Sequence, residues 1–426
     1  MSGNEAYTQA IRELSDRIVE AQRPIRVLGA INWDDRVKQG FFDAGFKEQP
    51  KVDREYYLAM DLRINPDETR GELRAIEGDI LARLGPVAPA GVMMRFMCEQ
   101  YRTVVDLLEA RGTEHFSPIS GLLYGTPFDV FHVGGPTIAD LAGQMRHILE
   151  GLAGPVMEME DDRSIDGPTA VKILQRQLDD SMGPGVIDVK ADDGIAADAA
   201  AGGDYIKLNE DRFFSQRDLD LLEAHEGWVH VGTTLNGLAQ PVCTFLGKAA
   251  PRSTVTQEGL AVLTEMINMR SHPRRLARLM HRIEGIGRAA EGASFVEVFE
   301  AFRTEGLDEE ESWSAAHRIY RGSLPDAGPF TKDLGYGKGL VLTLLYVRLA
   351  IQGGRAHRIP LLFCGKVDLL DMGVLHQLEE EGLVDQPAFV PPPFNDLPAL
   401  AVALSLGGFT AKLDWTRLES DYSGLI

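Results

Sequence analysis

Apolar residues recur every three or four positions along most of the chain, a spacing that places them on one face of an α-helix. The first such run covers residues 5–22 and is ended by Pro24. Its buried face is predicted to consist of Ile11, Leu14, Ile18 and Val19. The same spacing predicts further helices over 66–84, 88–111, 138–152, 216–232, 255–269, 273–290, 295–304, 308–321, 331–352 and 366–382.

Shorter segments depart from this helical spacing. A Gly- and Pro-rich stretch over 117–136 is predicted to be a loop. Residues 186–190 and 205–209 alternate like strands and are expected to pair or lie side by side, and the apolar run 359–364 is predicted to be a buried strand. The pattern therefore predicts a mostly helical α+β protein with a small β-sheet, whose N-terminal region, residues 1–180, is mainly helical.

Charge and cysteine content narrow the choice of partners and compartment. The 426 residues include 43 Lys and Arg against 64 Asp and Glu, a formal net charge of −21. Such a protein would repel a phosphate backbone or an anionic membrane over most of its surface, so we expect neither nucleic acid nor a membrane as a partner. Three widely separated cysteines and the lack of a signal-peptide pattern lead us to expect a cytoplasmic protein with reduced thiols.

One predicted helix carries His225, Glu226 and His230. Two histidines four residues apart on a helix can bind one metal ion, but five residues on a regular α-helix turn through roughly 140° and point the rings apart. A local π-type widening returns both rings to one face, and Gly227 is a suitable place for it because glycine removes side-chain crowding. The pattern is therefore a candidate metal site, with an accidental occurrence as the alternative.

Zinc needs a third protein ligand, with a fourth position left for water or substrate. Glu258 lies on the first turn of the helix predicted over 255–269. From a crossing helix its carboxylate could complete a site of two histidines and one glutamate. The alternative is an ordinary first-turn acid that stabilises the N-terminus of its own helix.

Four motifs follow one another between residues 225 and 340: HEGWVHVGTTLNGLAQP, TQEGLA, RIYRG and FTKDLGYGKGL. They resemble the family described as flavohemoglobin expression-modulating QEGLA-motif proteins. Its eukaryotic relatives include the microtubule-associated tyrosine carboxypeptidases, zinc enzymes that remove the C-terminal tyrosine of α-tubulin. The spacing of the two histidines is also similar to that of dipeptidyl peptidase III, a separate zinc peptidase group.

The resemblance implies one Zn²⁺ per chain, held by His225, His230 and Glu258, with Glu226 as the general base. It also implies a zincin-like metallopeptidase domain, which we place at residues 181–426. These roles agree with the chemistry of the residue types, since imidazole and carboxylate are common zinc ligands and a free carboxylate can accept a proton.

Amide hydrolysis also needs donors for a developing oxyanion, and a carboxypeptidase needs a cation for the terminal carboxylate of its substrate. Tyr336 or His317 is the predicted oxyanion donor, and Arg321 or Lys332 is the predicted carboxylate clamp. Each of them has an alternative interpretation as a helix-end cation or as a hydrogen-bonded core side chain.

Two asparagines are further candidates for contacts with the substrate. Residues 205–209 are predicted to form an edge strand that could pair with an extended peptide, and Asn209 ends this strand. Asn236, in the segment after the second histidine, could make polar contacts or could belong to a turn that closes the helix.

The sequence therefore predicts a zinc metallopeptidase, more specifically a carboxypeptidase that acts on the C-terminal tail of a peptide or protein. Two alternatives remain open: a regulatory or binding protein with an inert or structural metal site, and a hydrolase of non-peptide amides. Structural zinc sites usually have four protein ligands, so the three candidates found here favour catalysis. The sequence leaves the oligomeric state open.

Overall fold

The structure, a computed structural model, describes residues 3–157, 162–192, 198–411, 413–414, 417–418 and 421. The α-helices are α1 (Gly3–Gln22), α2 (Val27–Ile31), α3 (Asp35–Asp43), α4 (Arg54–Leu58), α5 (Pro66–Leu84), α6 (Pro89–Glu109), α7 (Phe116–Tyr124), α8 (Ile138–Met157), α9 (Gly167–Met182), α10 (Gln216–Leu222), α11 (Gly232–Leu238), α12 (Ser253–Ile267), α13 (Pro273–Ala290), α14 (Phe295–Thr304), α15 (Glu309–Tyr320), α16 (Leu334–Gln352), α17 (Met372–Glu380), α18 (Pro392–Asn395) and α19 (Leu397–Thr410). A π-helix covers Glu223–Val231, and 3₁₀ helices cover Thr244–Gly247, Thr331–Asp333, Ala356–Phe363 and Leu369–Asp371.

The strands are β1 (Ile165–Asp166), β2 (Asp188–Asp192), β3 (Ala199–Ala201), β4 (Tyr205–Asn209) and β5 (Phe213–Phe214). β4 lies in the middle of a three-stranded sheet, parallel to β2 and antiparallel to β3. β1 and β5 form a separate antiparallel pair. The prediction that the two alternating segments neighbour each other is confirmed, as is the mostly helical α+β class.

The prediction that residues 205–209 form an edge strand is wrong. The alanine-rich segment Ala199–Ala201 pairs with the side of β4 that does not face β2. The backbone amide of Asn209 donates to the carbonyl of Asp198 at 3.0 Å. Because both sides of β4 are paired, this strand offers no free edge to an extended peptide.

Two other local predictions are also wrong, and one helix begins later than predicted. Residues 359–364 are not a strand: the 3₁₀ helix Ala356–Phe363 contains Pro360, which lacks the amide that a strand ladder needs. A short, fully apolar run does not distinguish a buried strand from a buried helical turn. The stretch 117–136 is not all loop, because α7 occupies its beginning and buries Phe116 and Leu123. The last predicted helix begins at Met372, six residues later than expected.

One large core runs through most of the chain, from Ile11 in α1 to Leu400 in α19. The predicted stripe of α1 is confirmed, since Ile11, Leu14 and Ile18 are fully buried, while Val19 is half-buried. A smaller core lies between α9, the three-stranded sheet and α10. The division of the chain at residue 180 remains a prediction.

The segment Thr331–Gln352, which includes α16, is long and apolar enough to cross a membrane by length and composition alone. The buried share of its most apolar window is 44%, and the core helix of a soluble protein passes the same test. Here α16 packs closely against α12, the helix that carries Glu258. This packing places α16 beside Glu258, a candidate metal ligand.

Candidate metal centre

The first two candidate ligands lie on the π-helix Glu223–Val231. Helix α10, which leads into this π-helix, begins with a capping box: the side chains of Ser215 and Asp218 each accept a hydrogen bond from the other residue's backbone amide. The wide turn then brings His225 and His230 together, with ring centroids 4.8 Å apart. The predicted π-type widening is confirmed.

Gly227 lies within this π-helix, and close packing explains why the position needs glycine. A Cβ atom there would lie 2.5 Å from Cδ2 of Leu178 in α9. The glycine thus allows the π-helix to lie directly against α9. This packing reason adds to the local crowding that the sequence pattern indicates.

Glu258 reaches the two histidines from α12. Its Oε2 lies 3.8 Å from Nε2 of His225 and 3.6 Å from Nε2 of His230. Within the described part of the chain this buried oxygen has no hydrogen-bond partner. Zinc–ligand bonds of about 2.0–2.2 Å in a tetrahedral arrangement place neighbouring ligand atoms about 3.4 Å apart. The spacing and the unpaired oxygen therefore fit a divalent metal ion held by these three side chains.

His225 is oriented by a carboxylate that the sequence analysis did not single out. Its Nδ1 lies 2.5 Å from Oε1 of Glu265, a fully buried residue two turns after Glu258 on the same face of α12. With Nδ1–H donating to Glu265, the other ring nitrogen is left to a metal. The hydrogen bond to Glu265 outweighs the effect of burial and raises the pKa of His225.

Glu265 is itself held in the charged form. Ser271 donates to Oε2 at 3.1 Å, and Arg275 donates to Oε1 at 3.3 Å. Burial opposes ionisation, but Arg275 and His225 lower the pKa of Glu265 to about 2. The sequence signal that could have found it is the spacing of seven residues from Glu258, which places both carboxylates on one side of α12.

The second oxygen of Glu258 is paired with Lys332. Lys332 Nζ donates to Glu258 Oε1 at 3.0 Å from the 3₁₀ turn that precedes α16. Burial alone would raise the pKa of Glu258, but Lys332 and the two histidines hold it well below the ordinary value. Lys332, one of the two predicted clamps, therefore neutralises a candidate metal ligand and is already engaged.

Arg321, the other predicted clamp, has no such partner. Its side chain is buried, with 7% of the residue exposed, and none of its nitrogens bonds an acceptor among the residues that the structure describes. Its guanidinium lies 5.9 Å from the ring centroid of Phe330. Burial and the nearby charge of Arg318 lower the pKa of Arg321 to about 10. A buried, unpaired cation of this kind is suited to bind an anion.

The neighbouring arginines are paired with one carboxylate. Arg282 donates to Asp333 at 3.0 Å and Arg318 donates to it at 2.8 Å. These two cations outweigh burial and keep the pKa of Asp333 far below its ordinary value. With Lys332 and Arg321 nearby, cations outnumber carboxylates on this side of Glu258, in a protein whose net charge is −21.

The two predicted oxyanion donors lie in different surroundings. Tyr336 is buried beside Glu258, with Arg282 5.2 Å from its ring centroid, and burial together with Glu258 raises its pKa. Its hydroxyl has no hydrogen-bond partner in the described ranges. His317 stacks against Trp313 with ring centroids 6.1 Å apart, and its Nε2 accepts from the backbone amide of Trp33 at 3.4 Å.

Burial and the charges of the neighbouring arginines lower the pKa of His317 to about 3, so its ring is neutral. The aromatic cluster around it joins the N-terminal segment to α15. Tyr336 is therefore the better placed of the two predicted oxyanion donors.

Neither asparagine shows the free amide that a substrate contact requires. The side-chain amide of Asn236 is saturated: it donates to the carbonyls of Phe363 and Phe389 and accepts from the amides of Ala388 and Phe389. This supports the structural alternative for Asn236. The Oδ1 atom of Asn209 accepts from the amide of Asp211 at 3.0 Å, in the turn after the central strand.

Glu226 follows His225 directly on the π-helix and is half-buried. Lys366 enters the same region from a loop, where its Nζ donates to the carbonyl of His230 and to Gln257. Burial lowers the pKa of Lys366 to about 7, against the opposing effect of Glu226 and Glu258. Neither Lys366 nor Gln257 was identified as a site residue from the sequence.

The fold and this cluster define a mostly helical protein with a buried site of two histidines and one glutamate that can hold a metal ion. The sequence profile of the family described as microtubule-associated tyrosine carboxypeptidase matches residues 39–412. The chain belongs to this family, and the predicted relation to the tyrosine carboxypeptidases is confirmed. Family membership implies carboxypeptidase-type activity. No individually curated protein gives a significant match to the chain.

Proposed function

We propose that the protein is a zinc metallocarboxypeptidase that removes a residue from the C-terminus of a peptide or protein. One Zn²⁺ per chain is held by His225, His230 and Glu258 in a zincin-like catalytic region. The observation that carries the proposal is Oε2 of Glu258, which has no hydrogen-bond partner among the residues that the structure describes and lies 3.8 Å from Nε2 of His225 and 3.6 Å from Nε2 of His230.

Bound zinc would supply Lewis-acid polarisation of the scissile carbonyl and of the attacking water. Glu226, half-buried next to His225, accepts the proton of that water and passes it to the leaving amine. Tyr336 lies beside Glu258, its hydroxyl has no hydrogen-bond partner among the described residues, and it donates to the oxygen on which negative charge develops. Hydrolysis by this route needs no covalent intermediate.

Preference for a chain end is assigned to Arg321. A terminal carboxylate would satisfy a buried guanidinium that forms no ion pair with any acid in the described part of the chain. Lys332 cannot serve this purpose without leaving Glu258. The surplus of cations around Asp333 favours an anionic end of the substrate over the middle of a neutral chain.

One experiment distinguishes this proposal from its two alternatives, a binding protein with an inert or structural metal site and a hydrolase of non-peptide amides. The purified protein is loaded with Zn²⁺ and incubated with a library of peptides that vary in their last three residues, with chelator-treated protein as the control. We expect mass spectrometry to show the loss of one C-terminal residue, only in the metal-loaded sample. Internal cleavage would indicate an endopeptidase, and bound metal without any peptide cleavage would overturn the peptidase proposal.

A further inference from the structure

Lys366 joins two of the three candidate ligands from outside the metal cluster. Its Nζ donates to the backbone carbonyl of His230 at 2.7 Å and to the side-chain Oε1 of Gln257 at 2.8 Å. Gln257 directly precedes Glu258 in α12. The amine of Lys366 therefore contacts the backbone of His230 and the residue that precedes Glu258.

The carbonyl of His230 lies where the π-helix gives way to α11. A π-helix bonds residues five apart and an α-helix bonds residues four apart, so the change of pattern leaves carbonyls at the junction that need other donors. Side chains supply them: Thr234 Oγ1 donates to the carbonyl of His230 at 2.8 Å, and Thr233 Oγ1 donates to that of Val229 at 2.5 Å. Lys366 is the donor that comes from a distant part of the chain.

Gln257 connects this junction to the ring of His230. Its Oε1 accepts from Lys366 at 2.8 Å and lies 2.9 Å from Oγ1 of Thr233 and 3.5 Å from Nδ1 of His230. The position of Oε1 on the Nδ1 side leaves Nε2 of the same ring directed at Glu258. Gln257 therefore lies at Nδ1 of His230, as Glu265 lies at Nδ1 of His225.

The backbone of Lys366 is itself fixed. Its amide donates to the carbonyl of Leu246 at 2.7 Å, and a Cβ atom on the preceding Gly365 would lie 2.6 Å from the same carbonyl oxygen. The loop is therefore held tightly against the 3₁₀ helix Thr244–Gly247. Because its backbone is fixed, the side chain of Lys366 can hold its two hydrogen-bond partners in place.

We propose that Lys366, acting with Gln257, is a positioning residue that holds the wide turn at His230 in the geometry that a metal ion requires. The role needs two N–H donors, which a lysine amine supplies whether or not it carries a charge. It rests on the proposed metal site, since without a bound metal there is no ligand geometry to hold. Partners that orient ligands typically contribute 10–100-fold to metal affinity.

The test compares Lys366→Met, which keeps the length of the side chain and removes the donors, with Lys366→Arg, which restores donors. Lys248→Met is the matched control, because Lys248 is a half-buried lysine that lines a small cavity together with Lys366. We expect Lys366→Met to bind Zn²⁺ about 10–100-fold more weakly in competition with a chromogenic chelator. The arginine variant should recover most of that loss, and Lys248→Met should bind like the parent.

The visible spectrum of the Co²⁺-loaded protein gives a second readout that does not depend on turnover. Lys366→Met should change the d–d bands, because the ligand field at His230 changes. Thermal unfolding of the metal-free proteins identifies variants that fail to fold. If Lys366→Met is one of them, Gln257→Met, which removes the shared acceptor from the other side, should show the same weakening and the same spectral change.

The inference and the proposed function fail in different ways. If the parent protein binds no Zn²⁺, the proposed metal centre is wrong. If the parent binds Zn²⁺ and a folded Lys366→Met or Gln257→Met variant retains that affinity within twofold and an unchanged Co²⁺ spectrum, the positioning role of Lys366 is wrong and the metal centre stands.

Discussion

Gly259 in α12 and Gly339 in α16 lie where the two helices cross, closer together than any other residue would allow. A Cβ atom on Gly259 would lie 1.9 Å from the carbonyl carbon of Gly339, and one on Gly339 would lie 1.9 Å from the carbonyl oxygen of Val255. The crossing places the start of α16 beside the first turn of α12. Just before α16, Lys332 donates to Glu258 of α12.

We expect Gly339→Ala to disrupt the metal centre from outside it. The added methyl group overlaps backbone, which cannot move aside as a side chain can, so the helices must separate. Overpacking of this kind costs about 1–3 kcal/mol or more in the free energy of unfolding. Zn²⁺ affinity should fall at least tenfold. Both are measured by chemical denaturation and by chelator competition.

Gly71→Ala in α5 is the control, because a Cβ atom there meets nothing within 4 Å. It should leave Zn²⁺ affinity unchanged and raise stability by up to about 1 kcal/mol. Equal behaviour of the two alanine variants would show that the crossing is looser than the structure has it.

Glu226→Gln should separate metal binding from catalysis. The amide keeps the shape of the side chain but cannot accept a proton, so we expect kcat to fall by about 10²–10⁴. Zn²⁺ content should stay at one per chain, whereas His225→Ala and Glu258→Ala should lose the metal. Elemental analysis of each variant, alongside its turnover of a peptide substrate, checks this. A Glu226→Gln variant with parental kcat would remove Glu226 from the mechanism.

Glu265→Gln tests the carboxylate behind His225. The amide can still accept the Nδ1–H bond, but the charge that makes the imidazole a stronger ligand is lost. We expect Zn²⁺ affinity to fall about 10–100-fold. Glu305→Gln is a matched control, since Glu305 also pairs with a histidine and an arginine, His281 and Arg288. It should lower stability without changing Zn²⁺ affinity, and a similar loss in both variants would contradict a specific role for Glu265.

Arg321→Met tests how the substrate end is recognised. A charge-assisted hydrogen bond is worth about 1.5–3 kcal/mol, so kcat/KM for a peptide with a free C-terminus should fall roughly 10–150-fold. The parent protein should discriminate strongly against the same peptide with a C-terminal amide, and the variant should not. Lys332→Met should instead weaken Zn²⁺ binding, because it removes the partner of Glu258. If the discrimination survives in Arg321→Met, the clamp is another group.

The site residues that lie on one helical segment could be predicted from the sequence. His225, Glu226 and His230 share a segment, and their spacing required the π-type turn that the structure has. Glu258 followed from the need for a third ligand, and its approach depends on glycines that the motifs contain. Glu265 could be found only through its spacing of seven residues from Glu258, and Lys366 gave no such signal, because a single lysine after an apolar run is common in proteins that bind no metal.

The sequence predicted the long helices, in which the apolar spacing repeats over several turns, but not the short segments. Helices α5, α6 and α13 lie close to their predicted bounds. The six apolar residues within the 3₁₀ helix Ala356–Phe363 and just after it fit a strand equally well, and the pairing of β4 on both sides is hard to predict because its neighbour β3 has only three residues. In both cases tertiary contacts decide what local preference leaves open.

Asp371, at the start of α17, should make stability depend on pH between about 4 and 6. Burial and the neighbouring Asp368 raise the pKa of Asp371 to about 6, from an ordinary value near 3.8. A carboxyl whose pKa is higher in the folded state favours folding while it is protonated and loses that contribution as the pH rises through 6. At pH 7.5 the buried charge is therefore unfavourable, and Asp371→Asn should raise the Tm of the metal-free protein by about 1–3 °C. At pH 4 the two proteins should unfold at the same temperature, whereas a Tm difference that does not change between these pH values would exclude Asp371 as its source.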